Sequence, residues 1–299
     1  MIARCAGAAL HVEVRGAGVP LLLVHGFPHD HTLWRPQLDA LGDTARVVAP
    51  DLRGFGRSDG AGAPGSASMS AGAPGGASMS AGAPGGTSMS AGAPGGASMD
   101  RYADDLACVL DAVGERRAVV VGLSMGGYVA FALWRRHRAR VRALVLADTR
   151  AGADTDEARA RRRELVGVAR EQGAGAVAER MLDGMVGRST RARRPEVVTA
   201  VRALLAAQPV AGMVDALQAM HDRPDSTPDL ATIDVPTLVV VGDEDVLTPV
   251  AEARRLHEAI AGSRLEVLAG AGHVSNLERP AAFTHVLREF LAALPPEDG

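Results

Sequence analysis

Apolar and polar positions along the chain follow two rhythms. Predominantly apolar runs fall at 20–25, 46–49, 118–122, 142–147, 237–241 and 264–268, the last, RLEVL, the least apolar. Their length and continuity predict strands buried on both faces. Residues 10–14 alternate instead and predict an antiparallel edge strand. Between these runs, amphipathic stretches with helical spacing fall near 33–41, 102–113, 125–138, 251–261 and 281–293. Strand–helix alternation of this kind predicts an α/β fold with a mostly parallel sheet and helices on both faces. From 151 to 229 the strand rhythm stops. That stretch has helical spacing, is rich in Arg and Glu, and carries Met181, Met185, Met213 and Met220. It reads as a helical cap, 151–229, inserted into a core made of 1–150 and 230–299.

One segment has neither rhythm. Residues 61–100 are near-copies of a single unit: AGAPGSASMS, AGAPGGASMS, AGAPGGTSMS and AGAPGGASMD. One methionine per unit cannot offset the entropy of ordering so much Gly and Ser. The period also excludes collagen, which needs Gly at every third position. A flexible, solvated loop is expected over 61–99.

Composition narrows the function classes. The 299 residues carry 32 basic and 35 acidic side chains, a formal net charge of −3, so there is no electrostatic footprint for nucleic acid. Every basic residue is Arg. The absence of Lys excludes a Walker-type phosphate loop, a Schiff-base mechanism and the protein-kinase lysine. Cys5 and Cys108 make no disulfide framework, which favours a reducing, cytoplasmic setting. No signal peptide and no membrane span are expected, because neither apolar pattern occurs.

The chemistry is concentrated at strand ends. AVVVGLSMGGYVA places Gly122-Leu123-Ser124-Met125-Gly126 where a buried strand gives way to a helix. Glycines two residues either side of Ser124 allow a turn tight enough to expose its hydroxyl. The helix N-terminus beyond it aims free N–H groups at a reacting oxygen. HGFP, His25-Gly26-Phe27-Pro28, directly follows the strand PLLLVH. There the N–H of Phe27 and that of Met125 are candidates for a two-donor oxyanion hole. VVVGDEDVLTP ends another strand with Asp243, Glu244 and Asp245, and GAGHVSNLERP places His273 after the last. Ser, then acid, then His is the chain order of one hydrolase architecture. Asp148, just past the strand at 142–147, is a rival to Asp245. Asp243 and Glu244 are expected to be solvated. His25, His29 and His31 lie close in sequence, but with no HExxH, CxxC or second ligand cluster, neither metal nor cofactor is expected.

In these segments, and in Asp51-Leu52-Arg53-Gly54-Phe55-Gly56-Arg57-Ser58, the chain resembles the α/β-hydrolase superfamily. It looks most like esterase, 3-oxoadipate enol-lactonase and cofactor-free perhydrolase members. The resemblance implies a Ser124–His273–Asp245 triad that cleaves a small, largely apolar carboxylic ester or lactone. The alternatives are enol-lactonase or perhydrolase activity on the same triad, or a hydrolase-like protein that binds a ligand without turnover. The resemblance also gives 51–58 the role of supporting the active-site loops, and makes the repeats an expansion near the site entrance. Trp34, Met181 and Met185 are candidate substrate contacts. No arginine can be matched to a substrate carboxylate at this level.

Overall fold

The structure, a computed structural model, describes residues 1–60 and 97–296. The repeat tract falls outside the described residues except for its end. That end is not loop: Ser98 caps a helix by accepting from the Arg101 N–H at 3.0 Å, and Met99 is buried.

Among the described residues, eight strands form one sheet: β1 (Ile2–Cys5), β2 (Ala8–Arg15), β3 (Val19–Val24), β4 (Ala45–Pro50), β5 (Ala118–Leu123), β6 (Val141–Ala147), β7 (Thr237–Gly242) and β8 (Arg264–Leu268). Their spatial order is β1-β2-β4-β3-β5-β6-β7-β8. From β4 to β8 all neighbours are parallel, whereas β2 runs antiparallel to both β1 and β4. The segment expected as an edge strand is therefore internal. A short hairpin turns Ile2–Cys5 back along β2, pairing Cys5 with Ala8.

Helices α1 (Arg35–Leu41), α2 (Met99–Ala112) and α3 (Met125–His137) belong to the first half of the core. Four more, α4 (Asp156–Met185), α5 (Arg188–Arg193), α6 (Pro195–Ala206) and α7 (Val210–His221), lie between β6 and β7. A non-helical Gly173 breaks α4 in two. The chain closes with α8 (Val250–Ala259), a single turn α9 (Ser275–Glu278) and α10 (Pro280–Ala292).

Strand alternation divides the core between the two faces. Leu22, Val24 and Val120 point to one side, with Leu106 of α2 and Phe131 of α3. Leu21, Leu23 and Val121 point to the other, with Leu38 of α1 and Phe283 of α10. β5 is buried at every position. Its end is thus held rigidly from both faces, and Ser124 follows directly.

Cys5 and Cys108 correct the expectation of free thiols. They are joined in a disulfide, with Cα atoms 5.7 Å apart. A separation of 103 residues hides this pairing in the sequence; the fold lays α2 beside β1. The inference of a reducing setting loses its premise. Among the described residues, no single helix is long and apolar enough to cross a membrane.

Candidate active site

Ser124 sits between β5 and α3 with φ 55° and ψ −113°, a left-handed conformation that a residue with a Cβ adopts only under constraint. The constraint is visible. Ser124 N donates to Ala147 O at 2.9 Å, and Ser124 O accepts from Gly127 N at 2.9 Å and Thr149 Oγ1 at 2.8 Å. A Cβ on Gly126 would collide with the backbone carbonyl of Val24, so glycine there lets α3 start against the end of β3. Gly26 is equally close to the elbow. A Cβ on it would stand 3.1 Å from Leu123 O and 3.2 Å from Ser124 Cβ. The backbone leading into Phe27 therefore runs alongside Ser124. Met125 supplies the first amide of α3, where N–H groups have no intrahelical acceptor.

His273 Nε2 lies 2.7 Å from Ser124 Oγ, and His273 Nδ1 lies 2.8 Å from Asp245 Oδ2. The loop after β7 fixes Asp245. Its Oδ1 accepts from Leu247 N at 2.8 Å and Thr248 N at 3.0 Å, and Thr248 Oγ1 donates to Oδ2 at 2.6 Å. The loop after β8 is tied to the end of α4, since Met185 O accepts from His273 N at 3.1 Å and Val274 N at 3.2 Å. Buried Glu278 adds a second tie, accepting from Gly187 N at 2.9 Å and Gly272 N at 2.8 Å. The helices between β6 and β7 thus help to hold His273 in place.

The electrostatics follow from this burial. Burial disfavours a charged His273, but Asp245, joined by Asp148 and Glu278, outweighs it, and the pKa lies above the ordinary histidine value. Burial would raise Asp245, whereas His273 and Thr248 hold it below the usual carboxylate range. Asp148 is different. Burial, reinforced by the charge of Asp245, pushes it well above that range.

Two supports lie beneath the β3 loop. Buried His25 accepts from Leu52 N at Nε2, 2.9 Å away, with Nδ1 2.8 Å from Gly26 O, linking that loop to 51–58. Asp51 accepts from His31 N at 2.8 Å and Arg57 N at 2.9 Å, and faces His31 Nδ1 at 2.6 Å. Burial would raise its pKa, but those partners hold it at about 2. His11, His31 and Asp51 bring ligand-type atoms within 4.8 Å of one another. Asp51 is already shared among protein donors, and Arg57 Nη1 stands 3.3 Å from His11 Nε2. That chemistry suits a hydrogen-bonded node better than a metal.

A cavity of about 570 Å³ opens over the serine. Phe27, Ser124, Tyr128, Thr248 and His273 line it from the core. Leu165, Met181 and Met185 of α4 and Leu217 and Met220 of α7 line it from the inserted helices. Met181 and Met185, candidate substrate contacts, both line this cavity. Trp34 does not: it is fully buried on the other face of the sheet, its ring 5.9 Å from that of Phe283. An amphipathic pattern marks Trp34 as buried without saying against which face. Glu244 needs a second correction. It is not solvated but accepts from Ser189 N at 2.7 Å, Ser189 Oγ at 2.6 Å and Arg188 Nε at 3.1 Å. Asp243 is exposed, as expected, and accepts from Gly270 N at 2.6 Å. Arg150, Arg161, Arg162 and Arg180 also line the cavity. Sequence reasoning missed them because arginines in a charge-rich helical stretch look like a solvated face.

Known proteins share this arrangement of strands and loops. The profile of the alpha/beta hydrolase fold family matches residues 19–280, and the chain belongs to that family. A 3-oxoadipate enol-lactonase of Acinetobacter baylyi is 25% identical over 98% of this chain and 97% of its own. The structure of a thermophilic esterase from Thermogutta terrifontis superposes with a TM-score of 0.84 and 37% identity, over 98% of this chain and 97% of that one. An enol-lactonase from Burkholderia xenovorans gives a TM-score of 0.80 and 28% identity, over 98% and 100%.

Proposed function

We propose that the protein is a serine hydrolase of a small carboxylic ester or lactone, working through an acyl-enzyme. One observation carries this reading: the unbroken line from Ser124 Oγ to His273 Nε2 at 2.7 Å and from His273 Nδ1 to Asp245 Oδ2 at 2.8 Å. The matches to esterases and enol-lactonases over nearly the whole chain support it.

The mechanism follows the geometry. His273 accepts the Ser124 proton as Oγ attacks the carbonyl carbon, while Asp245 holds the ring in the required tautomer and stabilises the imidazolium. The N–H groups of Phe27 and Met125 receive the developing oxyanion, one from the loop against the elbow and one from the N-terminus of α3. His273 returns the proton to the leaving alcohol, which departs as the acyl-enzyme forms. A water deprotonated by His273 then adds to the acyl carbon, and collapse of that adduct releases the acid and restores Ser124.

In this scheme the helices between β6 and β7 act as a cap whose methionines give an adaptable apolar lining. A burst experiment tests the reading. Mixing with excess p-nitrophenyl ester is expected to release about one equivalent of nitrophenol ahead of steady turnover when deacylation is slow. Absence of nitrophenol release from short-chain p-nitrophenyl esters and of ring opening of lactones, beyond buffer hydrolysis, overturns it in favour of a binding protein.

A further inference from the structure

The cavity over Ser124 has an apolar lip. Val246 and Leu247, which follow Asp245 in the loop after β7, line the cavity and are 68% and 42% exposed. Exposed large apolar side chains are otherwise confined, among the described residues, to Met1 and Ile2 at the start of the chain and Val267 on β8. An apolar pair held open to water at a reactive cavity is a surface that a ligand gains by covering.

The pair is fixed in place. Asp245 Oδ1 accepts from Leu247 N at 2.8 Å and Thr248 N at 3.0 Å, so the lip turns tightly around the carboxylate that faces His273. On its outer side Leu247 lies on the backbone of α4, where a Cβ on Gly184 would stand 3.1 Å from Leu247 Cδ2. The next residue, Met185, accepts from His273 N at 3.1 Å. Val246, Leu247, Gly184 and Met185 therefore form the end of the cavity at His273. One turn back on α4, Arg180 has a partner of its own, with Nη1 2.7 Å from Glu164 Oε1. The opposite end gathers around Tyr128. Arg223 lies over its ring at 4.0 Å and donates to Met220 O at 2.9 Å.

Ester cleavage gives the two ends different duties. In the tetrahedral adduct on Ser124 Oγ, the leaving oxygen must face His273 Nε2, the group that protonates it. The oxyanion points to its amide donors, and the acyl chain takes the remaining direction, away from His273. The alcohol chain therefore starts at the His273 end, beside the lip.

We propose that Val246 and Leu247 set the specificity for the alcohol half of the substrate, which is an ester of an apolar alcohol whose hydrocarbon chain leaves the cavity across this lip. Hydrocarbon laid there takes the two side chains out of water. An ether or hydroxyl laid there gives up water for two hydrocarbon side chains, and Leu247 N is already engaged by Asp245. This inference rests on the serine-hydrolase reading and adds to it which half of the ester the lip recognises.

Two butyrate esters of equal chain length test it by acid release in a pH-stat: n-butyl butyrate and 2-methoxyethyl butyrate. The ether oxygen makes methoxyethanol the better leaving alcohol, so intrinsic reactivity favours the second ester. The wild-type protein is expected to favour the first in kcat/KM by about fivefold or more. Val246→Ser and Leu247→Ser are each expected to cut that ratio several-fold. The ratio of p-nitrophenyl acetate to p-nitrophenyl hexanoate, which reads the acyl side, is expected to stay within about twofold of the wild type. Val246 is the more exposed of the two, so Val246→Ser decides the matter even if Leu247→Ser fails to fold.

A wild-type butyl preference at or below one, with the p-nitrophenyl esters turned over normally, overturns the inference and leaves the hydrolase reading standing. So does a preference that survives Val246→Ser, or one that falls only together with the acyl-chain ratio. If none of these esters is hydrolysed and Ser124 does not react with a fluorophosphonate, the hydrolase reading falls, and the inference with it.

Discussion

Ser275 donates its hydroxyl to Asp148 Oδ2 at 2.5 Å, and Asp148 Oδ1 accepts from Gly242 N at 3.0 Å. Both oxygens of Asp148 are thus committed away from His273, whose Nδ1 faces Asp245. Two carboxyls lie within each other's field beside one imidazole, yet their pKa values are driven in opposite directions. His273 and Thr248 hold Asp245 below the usual carboxylate range, and burial together with the charge of Asp245 pushes Asp148 well above it. Pairs whose environments drive their pKa values apart divide their roles in this way.

The division predicts unequal mutants. Asp245→Asn lowers kcat by roughly three to four orders of magnitude, because an amide favours the wrong imidazole tautomer and cannot stabilise the cation. Asp148→Asn costs less than about tenfold, since Asp148 bonds Gly242 N and Ser275 Oγ while His273 Nδ1 faces Asp245. Asn also tolerates the φ of 45° at that position. Steady-state kinetics on folded variants decide the matter. A severe Asp148→Asn with a mild Asp245→Asn would reassign the acid.

The raised pKa of His273 sets the pH dependence. His273 must be neutral to accept the Ser124 proton, so kcat/KM rises with pH through the free-enzyme pKa. Burial lowers that pKa, and Asp245 with Asp148 and Glu278 raises it by more, placing the acid limb above 6.5. The residual activity of Asp245→Asn should show the limb displaced to lower pH. A wild-type limb below 6.5 would contradict this electrostatic account.

His29 supplies a stability test away from the chemistry. It is fully buried, and neither ring nitrogen has a hydrogen-bond partner among the described residues. Burial, aided by His25 and His273, holds its pKa at about 3 against 6.5 for a free histidine. Its folded pKa is depressed, so below 6.5 the unfolded chain binds a proton that the native state refuses. Stability then falls as pH drops towards about 3. His29→Leu removes that loss. Between pH 6.5 and pH 5 the variant is expected to lose about 2 kcal/mol less than the wild type, read from denaturant midpoints. Equal losses in the two proteins would show that His29 is protonated, or partnered, in the folded state.

Much of this architecture is legible in the sequence because buried strands and tight elbows leave strong local marks. The run AVVVGL and the glycines around Ser124 place the proposed nucleophile without any long-range information. β1 leaves a weaker mark, four residues with an arginine among them, and its existence depends on pairing with β2. Trp34 shows the limit of periodicity: helical spacing reports that a side chain is buried, not on which side of a sheet. The arginine wall was illegible for a related reason. Asp154 gathers Arg150, Arg162 and Arg223 from segments far apart in the chain, and only their convergence turns a charge-rich stretch into a cationic surface. The Cys5–Cys108 link likewise needs the fold to bring its ends together.

The central claim is that Ser124 is an activated nucleophile rather than a buried hydroxyl at a helix start. Reaction with a fluorophosphonate, followed by peptide mass spectrometry, tests it most directly. The geometry predicts rapid modification at one equivalent per chain, located on Ser124, abolished in Ser124→Ala and strongly slowed in His273→Ala. A folded wild-type protein that takes up no label, or takes it up equally fast without His273, would contradict it.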